Sequence, residues 1–586
     1  MSSFAGWTES YVRFVHCVAV VDVRKKPPPI PRVVVRSSAA LLPVLRRTLN
    51  ICSVLRLNFF RLFLLSLLLW WFGNMTGTRQ RKSAASPAAP APAPAPEATP
   101  QPAAVPADDE PSSWFEQVVP VILLALSPSW CQLLAFITNS RQFGKHYNRT
   151  ITGFITLYQE QYATKPMGGV DVFYNDMFSE AVEEVPDAAR FLGLFTLLAL
   201  ILYWWGGTVA PIKYGPITPK GARPDYIDNG IAHCFLFTLV FLGLSDFSTV
   251  FGLSHYFSTA GWFHLSIMFT NFQGMVLLLN AFGLLFCLFL YFKGKHAPSG
   301  PDNGTSGKGV IFDYYWGMEL YPRIFGVDVK RFVNCRFSMT FWMLAGIGYL
   351  AADLQQNGNE GNWESIKPGL FFTALSQFIY LVKFFKWEIG YMRSIDIIVD
   401  RAGFYETWGC LVWVPSVYTL HTRSIVNAAP QHTWYSAGLI FLVGTVGGVL
   451  LNFWADSQRQ WFREADGNIT IWGQKAKAVR CKYVVRNSAT GKLEERESLL
   501  LASGFWGAAR HFQYLFELMA AWSWCLLSTN FSDTGNGVLP LFYATFLTIL
   551  LIHRADRDEL KCIKKYGDGY RRYMDLVPYK IIPGIY

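Results

Sequence analysis

Trp506, Arg510 and Tyr514 stand at i, i+4 and i+8, a spacing that on one helix face aligns a flat apolar ring, a cation and a hydroxyl. That set suits a planar, phosphorylated ligand, and serves equally well as an aromatic belt at a membrane interface. Around it the longest polar stretch of the second half, 456–511, is crowded with cations: Arg459, Arg463, Lys475, Lys477, Arg480, Lys482, Arg486, Lys492, Arg496 and Arg510. The tail that runs from Arg554 to Lys580, RADRDELKCIKKYGDGYRRYMDLVPYK, is basic again. Two basic elements flanking two apolar runs make an anion site facing the cytosol, while the plainer reading is that these charges only set membrane topology. A second group comprises ionisable residues at membrane depth: Glu388 and Asp396 in KWEIGYMRSIDIIVDRAGFY, then His511, His553 and Arg554. Glu388 and Asp396, eight residues apart, share roughly one face if both are helical. The competing reading pairs them with Arg393 or Arg401 as structural ties and lets Lys386 and Arg393 snorkel to the interface.

The elements that must hold these residues are apolar. The 586 residues are 52% hydrophobic and 16% aromatic, with a net charge of +11, too apolar for an ordinary soluble chain of this size. The positive excess fits basic cytosolic loops better than nucleic acid, and no nucleic-acid partner is expected. Long apolar runs recur at 118–137, 189–205, 231–250, 262–292, 336–352, 368–385, 403–420, 433–455, 512–529 and 536–552. Their length and lack of alternation predict an all-α, polytopic membrane protein of about ten transmembrane helices, surrounded by membrane lipids. Gly444 and Gly448 form a G-x-x-x-G step that predicts close helix packing. There is no G-x-G-x-x-G after a strand, no G-K-[ST] loop and no convincing metal spacing, so neither a Rossmann or P-loop domain nor a metal site is expected. The 10 cysteines are scattered without a C-x-x-C pair and read as reduced packing residues.

Residues 83–111, SAASPAAPAPAPAPEATPQPAAVPADDEP, are a Pro/Ala-rich linker that cannot bury a core. Residues 1–82 read as an N-terminal extension. Its run at 51–73 is either a signal anchor interrupted by Arg56 and Arg61 or part of an upstream segment ahead of an alternative start at Met75. The working domain is then 112–586, with its cofactor site in the C-terminal half at about 456–586.

LLIHRADRDELKCIKKYGDGY (550–570) resembles the C-terminal signature of the sterol reductase family, matching H-R-x-x-R-D-x-x-x-C-x-x-K-Y-G at every fixed position. IFDYYWGMELYPRIFG (311–326) is similar to the family's other signature, with Tyr321 where Asn is usual. WGCLVWVPSVYTL, DGNITIWGQKAKAV, LASGFWGAARHFQY and YKIIPGIY are similar to its Δ7-reductase branch, and the likeness runs from about residue 185 to the end. The resemblance implies an endoplasmic reticulum membrane enzyme of sterol biosynthesis that uses NADPH. On matching positions it implies cofactor contacts at Arg459, Arg463, Leu501, Trp506, Gln513, Tyr514, Asp558, Cys562, Ile563, Lys564, Lys565, Tyr566 and Tyr573. Arg510 joins them from the face described above. Arg459 replaces a Lys of animal relatives, Gln513 stands where Asn or His occurs, and Val399 takes the place of a His before Asp400.

A non-polarised C=C bond is a poor hydride acceptor, so its reduction requires a proton donor on one carbon while a nicotinamide delivers hydride to the other. Glu388, Tyr391, Asp396 and Tyr418 are the candidate donors or relays, each with a structural role as the competing reading. The resemblance implies reduction of the C7–C8 bond of a Δ5,7-sterol, with a C14-reductase as the alternative inside the family. A non-catalytic sterol-binding membrane protein of the lamin B receptor type is the alternative outside enzymes. Family analogy also suggests a sterol Δ8-Δ7 isomerase as a partner.

Overall fold

The computed structural model describes residues 114–586 apart from 219, 427, 487–492 and 531–537, so the expected extension and linker at 1–111 lie outside the described residues. Each of the ten apolar runs coincides with a helical element. They are α1 (Trp114–Asn139), α2 (Val170–Val209), α3 (Gly230–Leu244), α4 (Phe272–His296), α5 (Val329–Gln356), α6 (Pro368–Lys386), α7 (Phe404–Tyr418), α8 (Trp434–Glu464), α9 (Phe512–Ser528) and α10 (Val538–Tyr566). A last amphipathic helix, α11 (Asp568–Leu576), follows a sharp turn at Gly567.

Seven candidate membrane spans are long and apolar enough to cross a bilayer, not ten. The exceptions are α3, α7 and α9, with 15, 15 and 17 residues. At 1.5 Å per residue these reach about 22 to 26 Å, short of a hydrocarbon layer of about 30 Å. Many of their side chains are buried against neighbouring helices. In α7 the backbone is wound as a π-helix around Pro415, and π-helical turns also occur in α5 (Phe332–Ser338) and α8 (Phe441–Val446). Such winding is uncommon and gathers at functional sites.

The most enclosed span is α5, which carries Arg331, Arg336 and Trp342, all buried. Phe191, Phe195, Phe237, Phe241, Phe337 and Phe341 interlock at ring distances of 4.9 to 6.3 Å and tie α2 and α3 to it. Leu197, Ile201, Leu239, Leu285, Leu442 and Val443 are exposed instead, as lipid-facing side chains are. The G-x-x-x-G step packs as expected: a Cβ on Gly444 would collide with Ser523 of α9, and one on Gly448 would lie 2.8 Å from the Phe516 carbonyl.

Between α8 and α9 the chain forms an antiparallel hairpin, β1 (Ala478–Arg486) with β2 (Leu493–Leu501), pairing Ala478 with Leu501. Helix α11 rests on it, with Gly569 so close to Cys481 that a Cβ would sit 2.9 Å from its sulfur. The basic loop and the basic tail thus form one assembly at the ends of α8, α9 and α10. All eight cysteines among the described residues are unpaired, and seven are buried.

Two local expectations need correcting. Glu388 and Asp396 do not share a helix face, because Glu388–Tyr391 and Ile395–Ile398 are separate single turns. Trp506, Arg510 and Tyr514 do not share one either. Gly504 takes φ +63°, a turn of helix covers only Phe505–Ala508, Ala509 is fully extended, and α9 begins at Phe512. Gly504 is required there, since a side chain would be strained at that φ and would run into the amide of Gln458, whose oxygen accepts from Phe505 N at 2.9 Å.

Candidate active site

Asp396 and Arg554 form an ion pair at 2.9 Å, linking the Ile395–Ile398 turn to the polar half of α10. Tyr391, Tyr405, Tyr418 and Tyr514 all lie within electrostatic reach of Asp396. The Tyr391 oxygen accepts from Asn334 Nδ2 at 2.9 Å, and the same nitrogen lies 3.2 Å from Cys410 Sγ. Tyr418 packs against Tyr543 at 4.9 Å and edge-on to Trp342 at 5.1 Å. Tyr391, Asp396 and Tyr418 are therefore brought near one another by three different elements.

Glu388 is not part of it. One carboxylate oxygen lies 3.1 Å from Arg331 Nε and 2.9 Å from Arg336 Nη1, and the other accepts from Arg336 Nη2 at 3.0 Å. Both arginines also donate to Asn229 Oδ1, at 2.9 and 2.8 Å. Burial by itself raises such a carboxyl, but the two guanidiniums outweigh it and hold Glu388 down to about 2. At neutral pH it is an anion with no proton to give, and its role is to tie α5 to the end of α6. Arg393, one of the partners expected for the two carboxylates, has no ion-pair partner among the described residues, and Arg401, the other, donates to the Gly304 carbonyl at 2.6 Å.

The arginine side of the site begins at Arg459, whose guanidinium lies 4.0 Å from the centre of the Trp506 ring. Trp506 is fixed by its indole N–H donating to the Ala455 carbonyl at 2.8 Å, and its own carbonyl accepts from Tyr573 at 3.2 Å. One turn beyond, Arg463 stands among Arg459, Arg393, Tyr566 and Cys562, and neither Arg463 nor Arg393 has an ion-pair partner among the described residues. Leu501 and Trp506 belong to one small apolar cluster, while Cys562, Ile563, Tyr566 and Tyr573 belong to the next. Lys565 rides over Tyr483 at 4.2 Å and Lys564 is exposed.

A third set adjoins the arginines. His511 stacks on Tyr514 at 5.2 Å and approaches Asp558 to 3.9 Å. Burial pushes the imidazole down to about 4 against the pull of Asp558, so at neutral pH this is a polar contact rather than an ion pair. His511 Nε2 and Gln513 Oε1 are both buried without a hydrogen-bond partner. Unpaired buried polar atoms beside unpaired guanidiniums fit a ligand that carries both phosphate and amide or ribose groups. Arg510 donates through Nη1 to the Val577 and Pro578 carbonyls at 2.6 and 2.9 Å and pairs through Nη2 with Glu559 at 2.7 Å, so both its terminal nitrogens hold the C-terminal segment, while its Nε is buried without a hydrogen-bond partner.

Sequence reasoning singled out neither Tyr405 and Asn334 nor Glu517, a lone acid in the apolar run FQYLFELMAAWSWCLLS. For Glu517 a signal existed, since an isolated carboxylate at membrane depth is a functional candidate in its own right.

A multi-pass helical membrane protein with several phenols near the Asp396–Arg554 pair and a cluster of arginines at the ends of its last helices is thus defined. The profile of the ergosterol biosynthesis ERG4/ERG24 family matches residues 146–586, and the chain belongs to that family. It is a sterol reductase in class, an oxidoreductase of sterol biosynthesis that acts on a sterol double bond in a membrane. It is 39% identical over 375 residues to the 7-dehydrocholesterol reductase of Arabidopsis thaliana, covering 64% of this chain and 79% of that one. With the 7-dehydrocholesterol reductase of Danio rerio it shares 33% identity, covering 65% and 74%. With the Delta(14)-sterol reductase of Methylotuvimicrobium alcaliphilum it also shares 33%, covering 68% and 82%.

Proposed function

We propose that this chain reduces the C7–C8 double bond of Δ5,7-sterols with NADPH, as a multi-pass enzyme of the endoplasmic reticulum membrane. The observation that carries the reading is the Asp396–Arg554 pair, which lies within electrostatic reach of Tyr391, Tyr418 and Tyr514. Tyr514 is shared, through His511 and Asp558, with the arginine cluster. The working domain is 112–586, with the cofactor held by residues of 456–586. In this reading α3, α7 and α9 also cross, their shorter lengths tolerated because protein rather than lipid surrounds much of each.

Arg459 and Arg463, with Arg393, hold the phosphates of the dinucleotide, since planar guanidiniums pair phosphate oxygens in a fork and Arg459 is already aligned by Trp506. Gln513, Tyr514 and Asp558 meet its amide and ribose groups. Leu501, Trp506, Cys562, Ile563, Tyr566 and Tyr573 form the apolar wall, and Lys564 and Lys565 the basic rim. When bound, the reduced nicotinamide supplies the hydride. The chain's own part is the proton. Tyr391 or Tyr418 holds it on a phenol oxygen, Asp396 orients that phenol, and Arg554 stabilises the phenolate left after transfer to the second sterol carbon. The packed aromatic walls exclude water from the electron-poor carbon.

Identity to relatives named for 7-dehydrocholesterol supports Δ7, and similarity to Delta(14)-sterol reductases makes Δ14 the second reading. The test is expression in sterol-depleted yeast microsomes with NADPH and either a Δ5,7-sterol or a Δ8,14-sterol, the products identified by gas chromatography and mass spectrometry. Loss of the Δ7 bond is expected; loss of Δ14 alone moves the reading to the second enzyme, and no turnover by correctly inserted protein overturns both.

A further inference from the structure

Each reduction consumes one proton at a site enclosed by membrane helices, and that proton has to come from water. Between the arginine cluster and the phenols near Asp396 runs one line of half-buried and buried polar side chains. Its outer end is Asp456, one turn before Arg459 and 3.7 Å from it. Lys383 of α6 lies 3.8 Å from Asp456 and donates to Asn452 Oδ1 at 2.5 Å. Asn452 Nδ2 donates to Glu517 Oε2 at 3.2 Å, and the other oxygen of Glu517 accepts a short hydrogen bond from the Tyr380 hydroxyl. Tyr380 in turn is within electrostatic reach of Tyr418 and Arg554, and its ring packs on Trp342 at 5.6 Å, the same indole that Tyr418 meets edge-on. The indole N–H is committed elsewhere, to Gln377 Oε1 at 2.6 Å.

Four helices contribute: Tyr380 and Lys383 from α6, Tyr418 from α7, Asn452 and Asp456 from α8, and Glu517 from α9. Asn452 is buried, while Lys383, Asp456, Glu517 and Tyr380 are each half-buried. A carboxylate placed among apolar helices costs stability unless it is hydrogen-bonded, and Glu517 accepts from both Tyr380 and Asn452.

We infer that Glu517 is the positioning residue through which the proton used at the sterol double bond is replaced, taken up beside Lys383 and Asp456 and passed to Tyr380, which packs on the same indole as Tyr418. The inference rests on the reduction reading above and adds the path of one of its two reactants. In each cycle the donor phenol gives its proton to a sterol carbon as hydride adds to the other. The resulting phenolate is reprotonated from Tyr380; the Glu517 carboxylate, which accepts from Tyr380 and Asn452 at rest, then takes up a proton from solvent on the Lys383–Asp456 side and passes it to the Tyr380 oxygen, restoring the phenol. One hydride and one proton enter per double bond, and no group on the path is left changed.

The test compares full-length wild type, Glu517→Gln, Glu517→Asp and Tyr380→Phe in microsomes, measuring kcat, sterol KM, NADPH KM and the solvent isotope effect on kcat in H2O and D2O. Glu517→Gln keeps the size of the side chain and an acceptor for Tyr380 but carries no proton to pass on. Its kcat should fall about tenfold or more with both KM values held within about twofold, and the solvent isotope effect should rise because reprotonation becomes limiting. Glu517→Asp should recover much of the rate, and Tyr380→Phe should behave as Glu517→Gln does. If wild type turns sterol over and Glu517→Gln matches it in kcat and isotope effect, the relay is wrong while the reduction reading stands. A kcat loss shared equally by Glu517→Gln and Glu517→Asp, with no change in isotope effect, makes Glu517 a packing residue and also overturns the relay. If wild type itself reduces neither sterol, it is the reduction reading that fails.

Discussion

The carboxylate of Asp396 meets the guanidinium of Arg554 at 2.9 Å across a gap of 158 positions in the sequence, and both side chains are about three-quarters buried. Such a pair acts as one unit. Asp396→Asn and Arg554→Met should each lower sterol turnover by roughly 10²-fold, and the double variant should be little worse than either single one. A double-mutant cycle on kcat checks this; losses that multiply would mean the two residues work separately.

Arg463 is exposed and without an ionic partner among the described residues, so its removal should cost binding rather than folding. Arg463→Ala is expected to raise the NADPH concentration for half-maximal rate by about tenfold, equivalent to ~1.4 kcal/mol, with a smaller effect of the same sign for Arg393→Ala. Titrations of initial rate against NADPH measure it, and an unaltered dependence would remove both residues from the phosphate site.

Glu388 makes a stability prediction with a definite sign. Its pKa is depressed in the folded chain, from 4.5 to about 2, so its contribution is fully present above pH 4.5 and is lost as pH falls toward about 2. Glu388→Ala should strand two buried arginines and destabilise by about 3–5 kcal/mol at neutral pH. Thermal unfolding in detergent should show wild type losing its advantage over Glu388→Gln below about pH 4.5, and a difference independent of pH would contradict the assignment.

Arg510 is expected to behave as a clamp. Arg510→Gln frees Glu559 and the Val577 and Pro578 carbonyls, so the segment after α11 should become accessible to carboxypeptidase at least several-fold faster, ahead of any change in NADPH affinity. A variant that loses cofactor affinity with its C-terminus still protected would restore Arg510 to the cofactor site.

What the sequence determined on its own follows from chemistry that is local in the chain. Apolar runs of about 20 residues lose too much free energy in water to be anything but buried or lipid-facing helix, so all ten helical elements were legible in order. Gly444 and Gly448 announced the α8–α9 contact because only glycine permits so close an approach. The signature at 550–570 and the basic loops marked the region of the site. The tertiary structure decided which ionisable groups face which. Eight residues separate Glu388 from Asp396, and nothing local says that a break at Met392–Ser394 sends one to Arg331 and Arg336 and the other to Arg554. The turn at Gly504 likewise separated Trp506, which stays beside Arg459, from Arg510, which turns to the C-terminus. Charge pairing between buried groups is strong and depends steeply on distance, so it is set by the packing of whole helices and cannot be read from spacing along any one of them.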